Sequence, residues 1–333
     1  MKAVIVILAL VGFAQATNFK DVLKAEFKSF KVKHGKIYKD IYEELQRMQI
    51  FKDNMVLIER HNKRFAAGEE TYEMGVNHFT DMSASEFKRL MLTNMTTDYL
   101  KEDIDNIYNV SARAGIPSGV DWRYSGAVPP VKDQGSCGSC WAFSAIGALE
   151  SHHFLKKGQR VSLSEQNLVD CTRQSPYYNS GCVSGWTDKA YEYIRDNGGI
   201  NTASYYPYQD KENSCRYNRN YIGSKISGYV TIPRGNEYAL ASAVANEGPV
   251  SVCIDSSHFQ FYKGGVFNNP SCSKNTNHCV VVDGYGTDKF GGDYWLARNS
   301  WGPNWGQNGY IRMARNRNNQ CSIASYAYYP LVV

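Results

Sequence analysis

Gln134-Gly135-Ser136-Cys137-Gly138-Ser139-Cys140-Trp141 brings a thiol to the start of a long helical run. The stretch from Trp141 to Leu155 reads as one helix, closed by Gly158. Unpaired N–H groups and the positive end of the helix favour a thiolate on Cys140. A nearby imidazolium would lower its pKa further. Two more segments carry complementary groups. Asn277-His278-Cys279 leads a strand-like stretch, and Asn299-Ser300-Trp301-Gly302 is followed by Trp305-Gly306 and Gly309-Tyr310. A thiol, an imidazole and an amide on three separate segments match what a cysteine nucleophile needs. The base takes the thiol proton, and a third group orients the base.

Outward from these segments, the chain divides. Its 333 residues suit roughly two folding units. With 43% apolar and 21% charged residues the composition is globular. Lys and Arg number 37 against 32 Asp and Glu, a net charge of +5, too small a surplus for an electrostatic nucleic-acid binder. Residues 1–16 read as a secretory signal: Lys2, the apolar run Ala3 to Phe13, then Ala14-Gln15-Ala16. No later stretch is long and apolar enough to span a bilayer, so the expected product is lumenal or secreted, with no membrane partner. Residues 17–115 contain no cysteine and balance 16 basic against 16 acidic side chains. Residues 116–333 hold all nine cysteines and all six tryptophans. An odd cysteine count in an oxidising compartment leaves one thiol unpaired or shared with another chain.

The first unit is predicted helical. Leu45, Met48, Phe51, Met55 and Ile58 recur at spacings of three and four between Asp40 and Asn62, one face of a helix. Glu43 and Arg47 form an i,i+4 pair of about 0.3–0.5 kcal/mol, so the apolar face must do most of the stabilising. Ser83 with Glu86 predicts a capping box on a shorter helix. Thr93 to Gly115 reads as an extended, accessible linker with glycosylation sequons at Asn94 and Asn109. The second unit starts helical and then turns to strands, at Pro249–Ile254, His278–Val282, Tyr294–Arg298 and Tyr310–Met313, which gives α+β and not a βαβ order. Asp283 ends an apolar run before Gly284 and is expected at a solvated strand end. His152 and His153 are expected to be packing or surface residues.

Cys-Gly-Ser-Cys-Trp with a downstream His and Asn is the known signature of one family. The chain resembles a papain-type cysteine protease, close to the cathepsin L subfamily, over its entire length. Gln134, Cys140, His278 and Asn299 stand in the family's order. Glu43, Arg47, Phe51, Asn54, Ile58 and Asn62 match the interspersed proregion motif, and Gly75, Asn77, Phe79 and Asp81 match a second one. The resemblance implies a papain-like α+β fold: a helical left domain, a β-barrel-like right domain and a cleft between them. Residues 17–115 would be a helical inhibitory propeptide and 116–333 the mature peptidase. It further implies that Cys140 is the nucleophile, His278 the acid and base, and Asn299 the group that orients the ring, shielded by Trp301. Gln134 and the Cys140 N–H would form the oxyanion hole. Gly138 and Gly185 would line the cleft, and Trp305 would flank the leaving group.

The same resemblance implies bridges Cys137–Cys182, Cys171–Cys215 and Cys272–Cys321. Setting these and Cys140 aside leaves Cys253 and Cys279, either a fourth bridge or two buried thiols. Both align to the pocket for the second side chain before the scissile bond, as do Trp186, Thr187, Thr276 and Tyr326. Their bulk predicts a narrow pocket, less tolerant of Phe and Leu. Ser184 replaces a usual glycine there. Asn277 replaces a common aspartate beside the catalytic histidine, which removes a carboxylate. The Cys137-x-x-Cys140 spacing also allows a redox pair or half a zinc site, but no second Cys-x-x-Cys exists and no metal or organic cofactor is expected. The expected product is a monomeric endopeptidase zymogen of the secretory pathway, lysosomal or extracellular, for example in a digestive lumen. Its partners would be protein and peptide substrates, its own propeptide and cystatin-type inhibitors. The competing reading is a catalytically retired homologue kept for binding or storage.

Overall fold

A computed structural model describes residues 21–93, 95, 106–110 and 115–333. The expected leader at residues 1–16, the Asn94 sequon and Arg113 lie outside those residues. The N-terminal unit begins with α1 (residues 21–33) and α2 (Ile41–Ala66). Asp40 caps α2, its carboxylate accepting the Glu43 N–H at 2.9 Å. Phe51 packs on Phe27 and Phe30 with ring centroids 5.4 and 4.9 Å apart, a core of three buried phenylalanines. Leu45, expected on that face, is 50% exposed, so the buried stripe is narrower than its spacing implies. Arg47 does more than pair with Glu43. It also reaches Glu86 at 2.9 Å and the Asp81 carbonyl at 3.1 Å, and so ties α2 to α3 (Ala84–Met91). The Ser83–Glu86 capping box starts α3 as expected.

The C-terminal unit follows as β2 (Val120–Asp121), α4 (Cys140–Lys157), α5 (Glu165–Cys171), α6 (Thr187–Asp196), β3 (Ile200–Asn201), β4 (Ile222–Ser224) and β5 (Ile226–Thr231). After α7 (Glu237–Asn246) come β6 (Val250–Ile254), β7 (Tyr262–Phe267), β8 (His278–Asp288), β9 (Gly292–Arg298), β10 (Tyr310–Ala314) and β11 (Tyr326–Val332). Two cores form. One gathers Trp141, Ile146, Leu149, Leu168 and Ile194 around α4, α5 and α6. The other gathers Val252, Val280, Trp295 and Ile311 of the sheet with Leu240 of α7. Helices thus fill one half and strands the other, the expected α+β division.

With β1 (Tyr72–Met74) included, the main sheet runs β1-β7-β10-β9-β8-β6-β11-β5, with β2 pairing β8. β1 belongs to the N-terminal unit and pairs antiparallel to β7 with Tyr72 opposite Gly265. It covers an edge that would otherwise expose unpaired backbone groups. The two ends of this path are not paired with each other among the described residues, so the barrel-like half is not a closed barrel. Helix α4 passes between the halves, buried from Cys140 through His152, and ends on Gly158 at φ 69°. His152 and His153 bond the Pro249 carbonyl and the Ser224 hydroxyl, which is a packing role.

Candidate active site

Cys140 is the first residue of α4, and Ser139 before it makes no side-chain cap bond. The Ser139 hydroxyl lies 2.7 Å from the Tyr208 hydroxyl instead. The first backbone donors of the helix are therefore left to the Cys140 sulfur. Four disulfides join Cys137–Cys182, Cys171–Cys215, Cys253–Cys279 and Cys272–Cys321, and Cys140 is the free cysteine. The open question over Cys253 and Cys279 is decided by strand register, because the two residues face each other across β6 and β8.

His278 opens β8 and Asn299 follows the end of β9. The His278 Nε2 lies 2.7 Å from Asn299 Oδ1, and the Trp301 ring covers the imidazole at 4.7 Å between centroids. The other ring nitrogen, Nδ1, is buried and makes no hydrogen bond. The Cys140 sulfur accepts from the N–H of Cys279, the residue next to His278. The Gln134 amide is oriented by Ser300, whose hydroxyl donates to Oε1 at 2.7 Å and leaves Nε2 as the donor end. One Nε2 hydrogen goes to the Cys137 carbonyl at 3.0 Å.

The N-terminal unit covers this site. Phe79 and Phe87 stand edge-on to Trp301 at 5.6 and 5.3 Å. Thr93 donates both its N–H, at 2.8 Å, and its hydroxyl, at 3.2 Å, to the Asn277 carbonyl, and that hydroxyl lies beside the Cys140 sulfur. Met95 is buried in the cluster that holds Trp186, Cys253, Cys279 and Tyr326. The supposed linker therefore starts inside the cleft, while the second sequon residue, Asn109, is exposed. Exclusion of water sets the charge state. Burial pushes the Cys140 thiol up to about 11, against the bond from Cys279 and the nearby Thr93 hydroxyl. Burial likewise pushes His278 down to about 4, against the bond to Asn299. In this covered site, burial opposes charge on both the thiol and the imidazole.

Residues 116–331 match the sequence pattern of papain family cysteine proteases, and residues 27–87 match the cathepsin propeptide inhibitor domain (I29). The chain belongs to the papain family of cysteine proteases. It is 49% identical to cathepsin L of Sarcophaga peregrina over the whole of both chains. It is 48% identical to digestive cysteine proteinase 1 of Homarus americanus, with 98% of this chain and 99% of that one covered. Among solved structures it is similar to digestive procathepsin L 3 from the larval midgut of Tenebrio molitor, at 44% identity and a TM-score of 0.83, over 93% of this chain and 99% of that one. The protease thus carries a propeptide inhibitor domain docked on its catalytic domain. No described helix is long and apolar enough to cross a membrane.

The remaining predicted positions fall around the same cleft, with some changes of emphasis. Gly138 is needed for close approach: a Cβ there would stand 2.5 Å from the Cys182 carbonyl and 3.1 Å from Thr93. At Gly185 the obstacle would be the Trp141 ring at 2.5 Å, so packing alone accounts for that glycine. Trp305 is fully buried against Trp301, with 4.9 Å between centroids. The Trp186 ring meets Tyr326 edge-on at 4.9 Å, and Arg234 lies over the other ring at 5.0 Å. Thr187 and Thr276 each keep a buried hydroxyl without a partner. Near Asn277 a carboxylate is present after all. Asp255 accepts from Asn277 Nδ2 at 2.8 Å. Asp283 is not solvated at all; it is fully buried beside Arg298. Thr93 and Ser300 went unread in the sequence. Ser300 could have been found from its place inside the Asn299-Ser300-Trp301 segment, whereas nothing local marks Thr93.

Proposed function

We propose that the protease cleaves peptide bonds through an acyl-enzyme on Cys140. Removal of the propeptide readmits water, and the uncovered pair becomes a Cys140 thiolate and a His278 imidazolium. The thiolate attacks the scissile carbonyl carbon. The resulting oxyanion is met by Gln134 Nε2 and the Cys140 N–H; one such donor typically contributes about 2.7–4 kcal/mol in the transition state. His278 protonates the leaving amine as the C–N bond breaks. It then takes a proton from the water that releases the acyl group. The observation that carries this reading is the imidazole fixed by Asn299 at Nε2 with Nδ1 left unpaired, in the residue next to the donor to the Cys140 sulfur.

Residues 17–115 act as the propeptide. Maturation falls between about Arg113 and Ile116 and leaves a chain of about 218 residues. Low pH starts it by loosening the contacts of the propeptide. The Cys253–Cys279 bridge, Trp186 and Tyr326 narrow the second pocket, which predicts weak use of Phe there in a positional peptide library. The similar digestive proteinases favour a digestive lumen over the lysosome. No observation favours a retired homologue. Acidifying the zymogen under mild reduction in the presence of a thiol-directed epoxide tests the assignment. Label on Cys140 with loss of peptidase activity is expected. An active enzyme left unlabelled at Cys140 would sink it.

A further inference from the structure

Three elements carry the proposed catalytic groups, and one guanidinium touches all three. Arg298, the last residue of β9, immediately precedes Asn299. Its Nε donates to Asp283 Oδ2 at 2.8 Å and its Nη2 to Asp283 Oδ1 at 3.2 Å, a two-point fork. Asp283 lies on β8, five residues beyond His278. The same Nη2 donates at 3.2 Å to the carbonyl of Gly147, seven residues along α4 from Cys140.

Local structure explains how the three meet. The register of β8 on β9 shifts between Val282 and Gly284, which leaves Asp283 as the extra residue of a bulge. A bulge re-aims a side chain that regular pleating would send elsewhere. Gly147 gives room on the helix: a Cβ there would stand 3.2 Å from Val281 Cγ2 and 3.4 Å from Arg298 Nη2. Other ionisable groups that act on the pair are Asp121 at the end of β2, Arg123 just after it, Tyr310 on β10 and Glu150 on α4.

A buried ion pair is poor value as a stabiliser. Desolvation of both charges offsets much of their attraction, and apolar replacements of equal volume are often neutral or stabilising. What such a pair does give is fixed geometry, because only one arrangement satisfies the fork and the Gly147 carbonyl together. We propose that Arg298, held by Asp283, is a positioning residue that sets α4 against β8 and β9, and so sets Cys140 relative to His278 and Asn299. The proposal rests on the catalytic roles assigned above.

The test uses the matured enzyme. In Asp283→Leu/Arg298→Met apolar groups replace the pair without leaving a lone buried charge. The expected result is a fall in kcat/KM of about 10- to 100-fold, the scale of a small misplacement of reacting groups. The fall is carried by kcat, and the limbs of the kcat/KM pH profile move with it. Arg298→Lys keeps the charge and loses the fork, and is expected to lose activity less and shift the limbs less. Wild-type kcat and unmoved limbs in the folded double variant would overturn the proposal. If that variant does not mature, the same result in Arg298→Lys overturns it. Epoxide labelling of the unmutated enzyme is run alongside. Failure there strikes the catalytic assignment, while a labelled enzyme with indifferent variants strikes only the positioning role.

Discussion

The propeptide and the catalytic domain are held together by different means. The catalytic domain has two extended cores and all four disulfides. The propeptide has a small core of its own around Phe27, Phe30 and Phe51, no cysteine and a set of polar ties. Asn54 donates to the carbonyls of Thr80 and Met82, both at 2.9 Å. Asp81 pairs with Lys36 at 2.9 Å and accepts from the Tyr38 hydroxyl at 3.0 Å. Its docking combines the apolar contacts of Tyr72, Phe79, Phe87 and Met91 with polar ones: Gln260 exchanges bonds with Asn77, Phe79 and Met82, and Lys263 meets Glu73 at 2.8 Å. One unit is covalently stapled; the other rests on a small aromatic core and on polar contacts.

The largest expected effect follows from the small core. Phe51→Ala should cost about 3–5 kcal/mol, more than the propeptide can absorb, while the catalytic domain keeps its fold. Limited proteolysis of the Cys140→Ala zymogen would show rapid loss of residues 21–93 only. Equal resistance of the two units would break the contrast.

A smaller effect is set by pH. Burial, then Lys36 and His34, hold His78 down to about 4 from an ordinary 6.5, while Asp81 opposes them. The unfolded propeptide takes up a proton on this residue below about pH 6.5 that the folded one refuses, so stability is lost as pH falls from there toward 4. One pKa unit is about 1.4 kcal/mol, so the loss is on the order of 2–3 kcal/mol by pH 4. In the Cys140→Ala zymogen, His78→Phe should flatten this slope and move propeptide release to lower pH. Tryptophan fluorescence across pH 4–7 would measure it, and an unchanged slope would remove His78 from the acid response. The smallest effect belongs to the capping box. Ser83→Ala should cost about 1 kcal/mol and speed autoactivation slightly, read from the lag before activity appears.

Much of this was legible in the sequence wherever the cause is local. Helix α4, the Ser83 capping box and strands β6, β8, β9 and β10 announce themselves by periodicity, caps and turns. Strands β5, β7 and β11 do not. β7 carries Gly264 and Gly265, and β11 contains Pro330 in an unbroken apolar run at the chain end. Leu45 satisfied the helical period yet remains half exposed, because no described residue buries its side chain.

The candidate nucleophile, base and orienting amide were likewise legible segment by segment, though Thr93 was not. A thiol at a helix start, an imidazole opening a strand and an amide after another strand are local placements, and the odd cysteine count left one thiol unpaired or shared with another chain. Tertiary structure decided what no short segment contains. It paired Cys253 with Cys279 by strand register, brought Tyr72 to Gly265 across 193 positions, and put Thr93 against the Cys140 sulfur. It also turned Asp283 from an expected surface residue into a buried partner of Arg298. Burial and charge state depend on which distant surfaces exclude water, and the order of residues along the chain does not specify that.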